Sequence, residues 1–130
     1  MKTTTTWKKE HEFVSEHEGN FISIDGDKKK GNGPKSLLLS GIAGCSGIDV
    51  VDILNKMKVE FSDLVIDTEA ELNDEHPKVF TVINITYKIK TGKENEDKVR
   101  KAIDLSLEKY CGVSAMLKKN SPINYTLEIK

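Results

Sequence analysis

PKSLLLSGIAGCSGIDVVDILNKMK, residues 34–58, holds the longest apolar run of the chain and one of its two cysteines. Between Leu37 and Met57 apolar residues recur at helical spacing (Leu38, Ile42, Cys45, Ile48, Val51, Leu54), which predicts a helix rather than a strand. Leu37, Leu39, Val50 and Ile53 widen the apolar surface most of the way round, the mark of a helix inside a domain. Ser40, Ala43, Gly44 and Gly47 form a second stripe of small side chains. A mid-helix glycine costs up to ~1 kcal/mol relative to alanine, so Gly41, Gly44 and Gly47 call for another backbone, or a ligand, at close approach. Cys45 sits in the middle of that segment. Gly31-Asn32-Gly33-Pro34 breaks the chain ahead of it, and Pro34 suits a first helical turn, where a missing N–H costs nothing. With no GK[ST] following and no strong strand before it, this stretch is a linker and not a phosphate loop.

Downstream the periodicity changes to two. Val59–Leu72 reads as a strand with Leu64, Ile66, Thr68, Ala70 and Leu72 on one face and Asp63, Asp67, Glu69 and Glu71 on the other. Residues 73–77 turn the chain, and Val79, Thr81, Ile83, Ile85, Tyr87 and Ile89 alternate along a second strand, as expected of an antiparallel pair with one face buried. Glu94–Tyr110 is an amphipathic helix with Val99, Ile103, Leu107 and Tyr110 inward and Lys98, Lys101, Asp104 and Glu108 outward. Cys111 lies at its end, and Gly112 is the expected stop. Val113–Leu117 adds a short helical turn, and Ile123, Tyr125, Leu127 and Ile129 close the chain as a strand.

Upstream, Thr3–Trp7, His11–His17 and Phe21–Ile24 predict a small antiparallel sheet with a hairpin turn at Gly19-Asn20 and a second turn at Asp25-Gly26-Asp27. This part has too few large apolar residues for a core of its own and must lie against the rest of the chain or a second subunit. The resulting order of strands, long helix, two strands, helix and strand is α+β, a helix packed on a mostly antiparallel sheet.

The chain has 130 residues, enough for one domain with a real core. Its 20 basic and 21 acidic residues leave a net charge of −1, which argues against nucleic acid or an anionic membrane as the main partner. Lys28–Lys30 lies beside Asp25 and Asp27 and reads as a solvated turn. The N-terminus lacks the apolar stretch of a signal peptide, and Leu37–Ile48 is short of the ~20 apolar residues that a membrane crossing requires. A soluble cytoplasmic protein is expected. Two cysteines there are either buried inert side chains or a redox or catalytic pair. No CxxC or zinc spacing occurs, and His11, His17 and His76 are scattered through polar stretches, so no metal site is expected.

The sequence around the two cysteines, LLLSGIAGCSGIDVVDIL (37–54) and YCGVSAMLKKNSPI (110–123), resembles the OsmC/Ohr family of hydroperoxide-handling proteins, most closely its OsmC-like branch. The Gly-Pro that opens the helix, Ala-Gly-Cys in its middle, the two-strand hairpin with HPKVFT (76–81) and Cys-Gly-Val-Ser-Ala-Met-Leu before the last strand stand in family order. The resemblance covers nearly the whole chain. It implies a single domain over 1–130 with an α+β, OsmC-like fold, antiparallel sheets wrapped on a long buried central helix. It also implies an intertwined homodimer in which the strands of residues 1–30 complete the partner's sheet.

The activity implied is thiol-dependent reduction of organic hydroperoxides at a small apolar pocket on the dimer interface. Cys45 would be the peroxidatic thiol and Cys111 the resolving one, with a thiol or dithiol as reductant and no bound cofactor. A thiol of ordinary pKa is mostly protonated at neutral pH. In peroxidases of this family an arginine from the N-terminal region and a glutamate just after the helix-opening proline favour the thiolate. Here the only arginine is Arg100, and Lys35 and Ser36 follow Pro34, so neither role can be carried over. Lys35 is a candidate source of positive charge, but ~15 Å from Cys45 along one helix at 1.5 Å per residue; contact would have to come from the partner. Tyr110 and Met116, with Leu117, flank Cys111 and are candidates to line the pocket, or are core residues. The missing pair also leaves open a non-enzymatic protein of this fold that binds a small apolar ligand.

Overall fold

In the computed structural model, which describes Met1–Lys130, the chain forms two units, Met1–Leu38 and Leu39–Lys130. The first holds a three-stranded antiparallel sheet of β1 (Thr4–Lys9), β2 (Glu12–His17) and β3 (Asn20–Asp25), in that order. Its second hairpin turns one residue earlier than expected. His17 pairs with Asn20, and the turn residues Glu18 and Gly19 both have positive φ, 49° and 79°, which matches the right-handed twist of the flanking strands. Trp7, Phe21 and Ile22 are exposed. The Asp25 carboxylate accepts the backbone N–H groups of Asp27 (2.8 Å), Lys29 (3.3 Å) and Lys30 (3.0 Å). The lysine run therefore sits on an ordered turn, and those bonds, Asp27's first, hold the Asp25 carboxyl below its ordinary pKa.

The helix α1 spans Pro34–Lys56. Its fully buried residues are Ile42, Ser46, Val50 and Leu54, four apart and therefore on one narrow face. The expectation of a helix buried nearly all round does not hold within one chain. Leu38 is 48% and Ile48 66% exposed. A methyl group on Gly41 or Gly44 would meet nothing, and only Gly47 is approached, by Ile66 Cδ1 at 3.1 Å. At 23 residues, with a mean hydropathy of 1.8 over its most apolar window, α1 is also long and apolar enough to cross a membrane. That corrects the expectation drawn from Leu37–Ile48 alone. Its buried stripe is instead part of a protein core.

The second unit carries a sheet in the order β4-β5-β6, built from β4 (Ser62–Leu72), β5 (Phe80–Lys90) and β6 (Ile123–Ile129). β4 and β5 are antiparallel; β6 runs parallel to β5, which the long helical connection between them permits. Ile83, Ile85, Tyr87 and Ile89 of β5 are at most 1% exposed, and Leu64, Ile66, Thr68 and Ala70 of β4 are half-buried beside them. The alternation fails at one end. Glu71 pairs with Val82 but Leu72 with Phe80, so Thr81 is the extra residue of a bulge, and the phase slips by one. Phe80 is therefore buried, while Val79 and Leu72 are exposed. Val59–Phe61 lies outside the strand.

The connection begins with a 3₁₀ turn at Lys93–Asn95 and α2 at Glu96–Leu105. A π turn at Ser106–Tyr110 and α3 at Gly112–Leu117 complete it. Val99, Ala102, Ile103 and Ser106 are buried. A regular α-helix would bring Tyr110 to the same face next, as expected from the sequence; instead Tyr110 is 54% exposed and Cys111 is buried. The cause is a hydrogen bond from Cys111 N–H to the Ser106 carbonyl, 2.7 Å, spanning five residues. One extra residue in the turn rotates the chain beyond it. Gly112 does not stop the helix but opens α3.

Candidate active site: the cysteine pair

Cys111 is 3% exposed in the core of the second unit, and Cys45, half-buried on α1, packs against that same core. Both are free thiols. Backbone at Cys111 is extended (φ −76°, ψ 104°), and its Sγ accepts the Ser114 N–H at 3.3 Å, capping α3 with sulfur. The Cys111 pKa is raised, chiefly by burial; the hydrogen bonds of Ser114 oppose this, and interaction with the Cys45 thiol adds to it. Both sequence-predicted cysteines thus lie in one apolar cluster. Two such thiols can be joined by a two-electron oxidation.

Beside them lies a polar chain that the sequence reading missed. Tyr87 Oη and Ser46 Oγ are 2.6 Å apart. Ser106 Oγ lies 2.9 Å from Ser46 Oγ and 2.9 Å from Asp49 Oδ2. The ionised carboxylate only accepts and each hydroxyl has one hydrogen. Ser106 accordingly donates to Asp49, Ser46 to Ser106, and Tyr87 to Ser46. Ser46, Ser106 and Tyr87 are fully buried. Burial pushes the Tyr87 hydroxyl up to about 12, assisted by the nearby Cys111. Ser46 adjoins Cys45 in sequence, Asp49 lies one turn on, and Ser106 begins the π turn that ends at Cys111. Serines among apolar residues give no periodic signal; only the partners, from α1, β5 and the π turn, reveal them.

The other candidates do not join the pair. Tyr110 lies on the surface of the π turn with the Lys109 ammonium 5.3 Å from its ring. Met116, on α3, is 66% exposed. Within one chain neither belongs to the apolar cluster that holds the cysteines. Lys35 is exposed in the first turn of α1. Arg100 pairs with Glu96 one turn away, 3.1 Å. Ala43, Gly44, Gly47, Ile48, Val51 and Asp52 of α1 form with Leu64 and Ile66 an open apolar groove of about 480 Å³.

Comparison with known proteins places this geometry. The model of a family described as OsmC-like protein matches residues 26–126. Protein YhfA of Escherichia coli K12 is 36% identical over 132 residues, covering 99% of this chain and 98% of YhfA. Among solved structures, an OsmC-like protein from Mycoplasma pneumoniae superposes with a TM-score of 0.87 at 18% identity, covering 98% of this chain and 95% of that one. The organic hydroperoxide resistance protein OhrB of Bacillus subtilis gives 0.63 at 21% identity, covering 99% and 96%. With an α+β fold shared along its whole length and a family match over most of it, this chain belongs to the OsmC-like protein family.

Proposed function

We propose that this protein is a cytoplasmic, homodimeric thiol peroxidase for organic hydroperoxides, with Cys45 as attacking thiol and Cys111 as resolving thiol. The carrying observation is the placement of two free thiols in one apolar cluster. In the first step Cys45 sulfur attacks the O–O bond, the alcohol leaves with the thiol proton, and Cys45 becomes a sulfenic acid. In the second step Cys111 sulfur displaces that hydroxyl as water, giving the disulfide. An external dithiol then takes the oxidation on by exchange, becoming a disulfide itself. Membership in a family that includes hydroperoxide resistance proteins supports the substrate class.

A second copy of the chain is the occupant that fits α1's uncovered face. The exposed Leu38 and Ile48 and the open Gly41 and Gly44 supply the apolar and close-approach surface that helix-to-helix packing needs. Absence of the family's arginine and glutamate favours one other reading, a protein of this fold that retains a small apolar ligand without turnover.

The test is a free-thiol count before and after one equivalent of cumene hydroperoxide, with mass analysis under non-reducing conditions. The proposal expects both thiols to disappear into a Cys45–Cys111 disulfide and Cys45→Ser to abolish hydroperoxide consumption. Consumption unchanged by Cys45→Ser would refute it. Two unreacted thiols would favour the ligand-binding reading.

A further inference from the structure

We infer that Asp49 and Ser106 are positioning residues for disulfide closure: their hydrogen bond, extended through Ser46 and Tyr87, holds the π turn that delivers Cys111 to Cys45. The inference rests on the reading that the two cysteines act as a redox pair. A π turn gives up regular α-helical hydrogen bonding, and such turns persist where the surroundings hold them. Here the holding group is identifiable. Ser106 supplies both halves of the connection: its carbonyl takes the Cys111 N–H at 2.7 Å, and its hydroxyl is tied at 2.9 Å to Ser46 and to Asp49 on α1.

Ser46 immediately follows Cys45, so the chain joins the backbone beside one thiol to the backbone beside the other. Ser106 and Ser46 are both fully buried, and no water can replace a lost partner without opening the core. Asp49 gives the chain its direction, because an ionised carboxylate fixes every hydroxyl as a donor toward it. Tyr87, having given its only hydrogen to Ser46, is held in place at the β5 end. Relaxing the π turn to a regular helix would exchange Cys111 for Tyr110 on the buried face. Disulfide closure would then have to wait for the turn to re-form.

Diamide tests this without needing peroxidase activity. One thiol adds across its N=N bond to give a sulfenylhydrazine; the second thiol displaces the hydrazine, so two thiols lose two electrons and two protons to the reagent. The ratio of singly adducted protein to Cys45–Cys111 disulfide, followed by mass spectrometry, reads closure alone. In Asp49→Asn and Ser106→Ala that ratio should rise about tenfold, the factor that ~1.4 kcal/mol of lost holding energy gives. A merely structural role would lower the denaturation midpoint and leave the ratio at the wild-type value, which overturns the inference. If Ser106→Ala does not fold, Asp49→Asn, which alters only a half-buried carboxylate, decides by itself. Wild-type protein that closes with diamide but ignores hydroperoxide would refute the peroxidase proposal and leave this comparison intact.

Discussion

Removing Ser46 should expose the logic of the buried chain. Ser46→Ala leaves Ser106 with Asp49 as its acceptor, but it strips Tyr87 of its hydrogen-bond partner at a site that is 0% exposed. A stranded buried hydroxyl costs ~1–3 kcal/mol, offset by ~0.5 kcal/mol of better helix propensity for alanine over serine. The expected loss is ~1–2 kcal/mol. Tyr87→Phe in the wild-type background removes the hydroxyl and its bond together, at a net ~1 kcal/mol. In the Ser46→Ala background the same change removes a stranded group and should be neutral or stabilising. Urea unfolding of the four proteins, with unchanged m-values, gives the cycle directly. Equal cost of Tyr87→Phe in both backgrounds would refute the proposed direction and dependence of the chain.

The same geometry sets three other outcomes. Tyr87 titrates near 12 in the folded protein against an ordinary 10.0. Its contribution, ~2–3 kcal/mol by linkage, is fully present below pH 10. It is lost as pH rises from 10 toward 12, where the unfolded chain ionises first; Tyr87→Phe should flatten that part of the alkaline unfolding profile. Gly44→Ala, which meets no atom within one chain, should stabilise an isolated protomer by up to ~1 kcal/mol yet weaken the proposed dimer. Sedimentation over a dilution series measures this, and an unweakened dimer would exclude the stripe from the interface. Cys111→Ser should leave a sulfenic acid on Cys45 that persists after hydroperoxide until dimedone traps it; a sulfenic acid that disappears before trapping as fast as in the wild type would remove Cys111 from the resolving role.

Much of this protein is legible in its sequence because the signals are local. Period-two alternation from Leu64 to Ala70 and from Ile83 to Ile89 comes from a sheet with one buried face, and the helical repeat from Leu38 to Leu54 comes from 3.6 residues per turn. The residues around Cys45 and Cys111 were enough to place the chain in its family and to single out both thiols. Tertiary structure alone decided the rest. The bulge at Thr81 reverses which of Val79 and Phe80 is buried, because register is set by the partner strand. The π turn puts Cys111 where helical spacing puts Tyr110, because a single five-residue hydrogen bond shifts the phase. Ser46, Asp49, Tyr87 and Ser106 carry no pattern of their own. They became a chain only when α1, β5 and the π turn packed together and excluded water, leaving each buried hydroxyl no partner but the next.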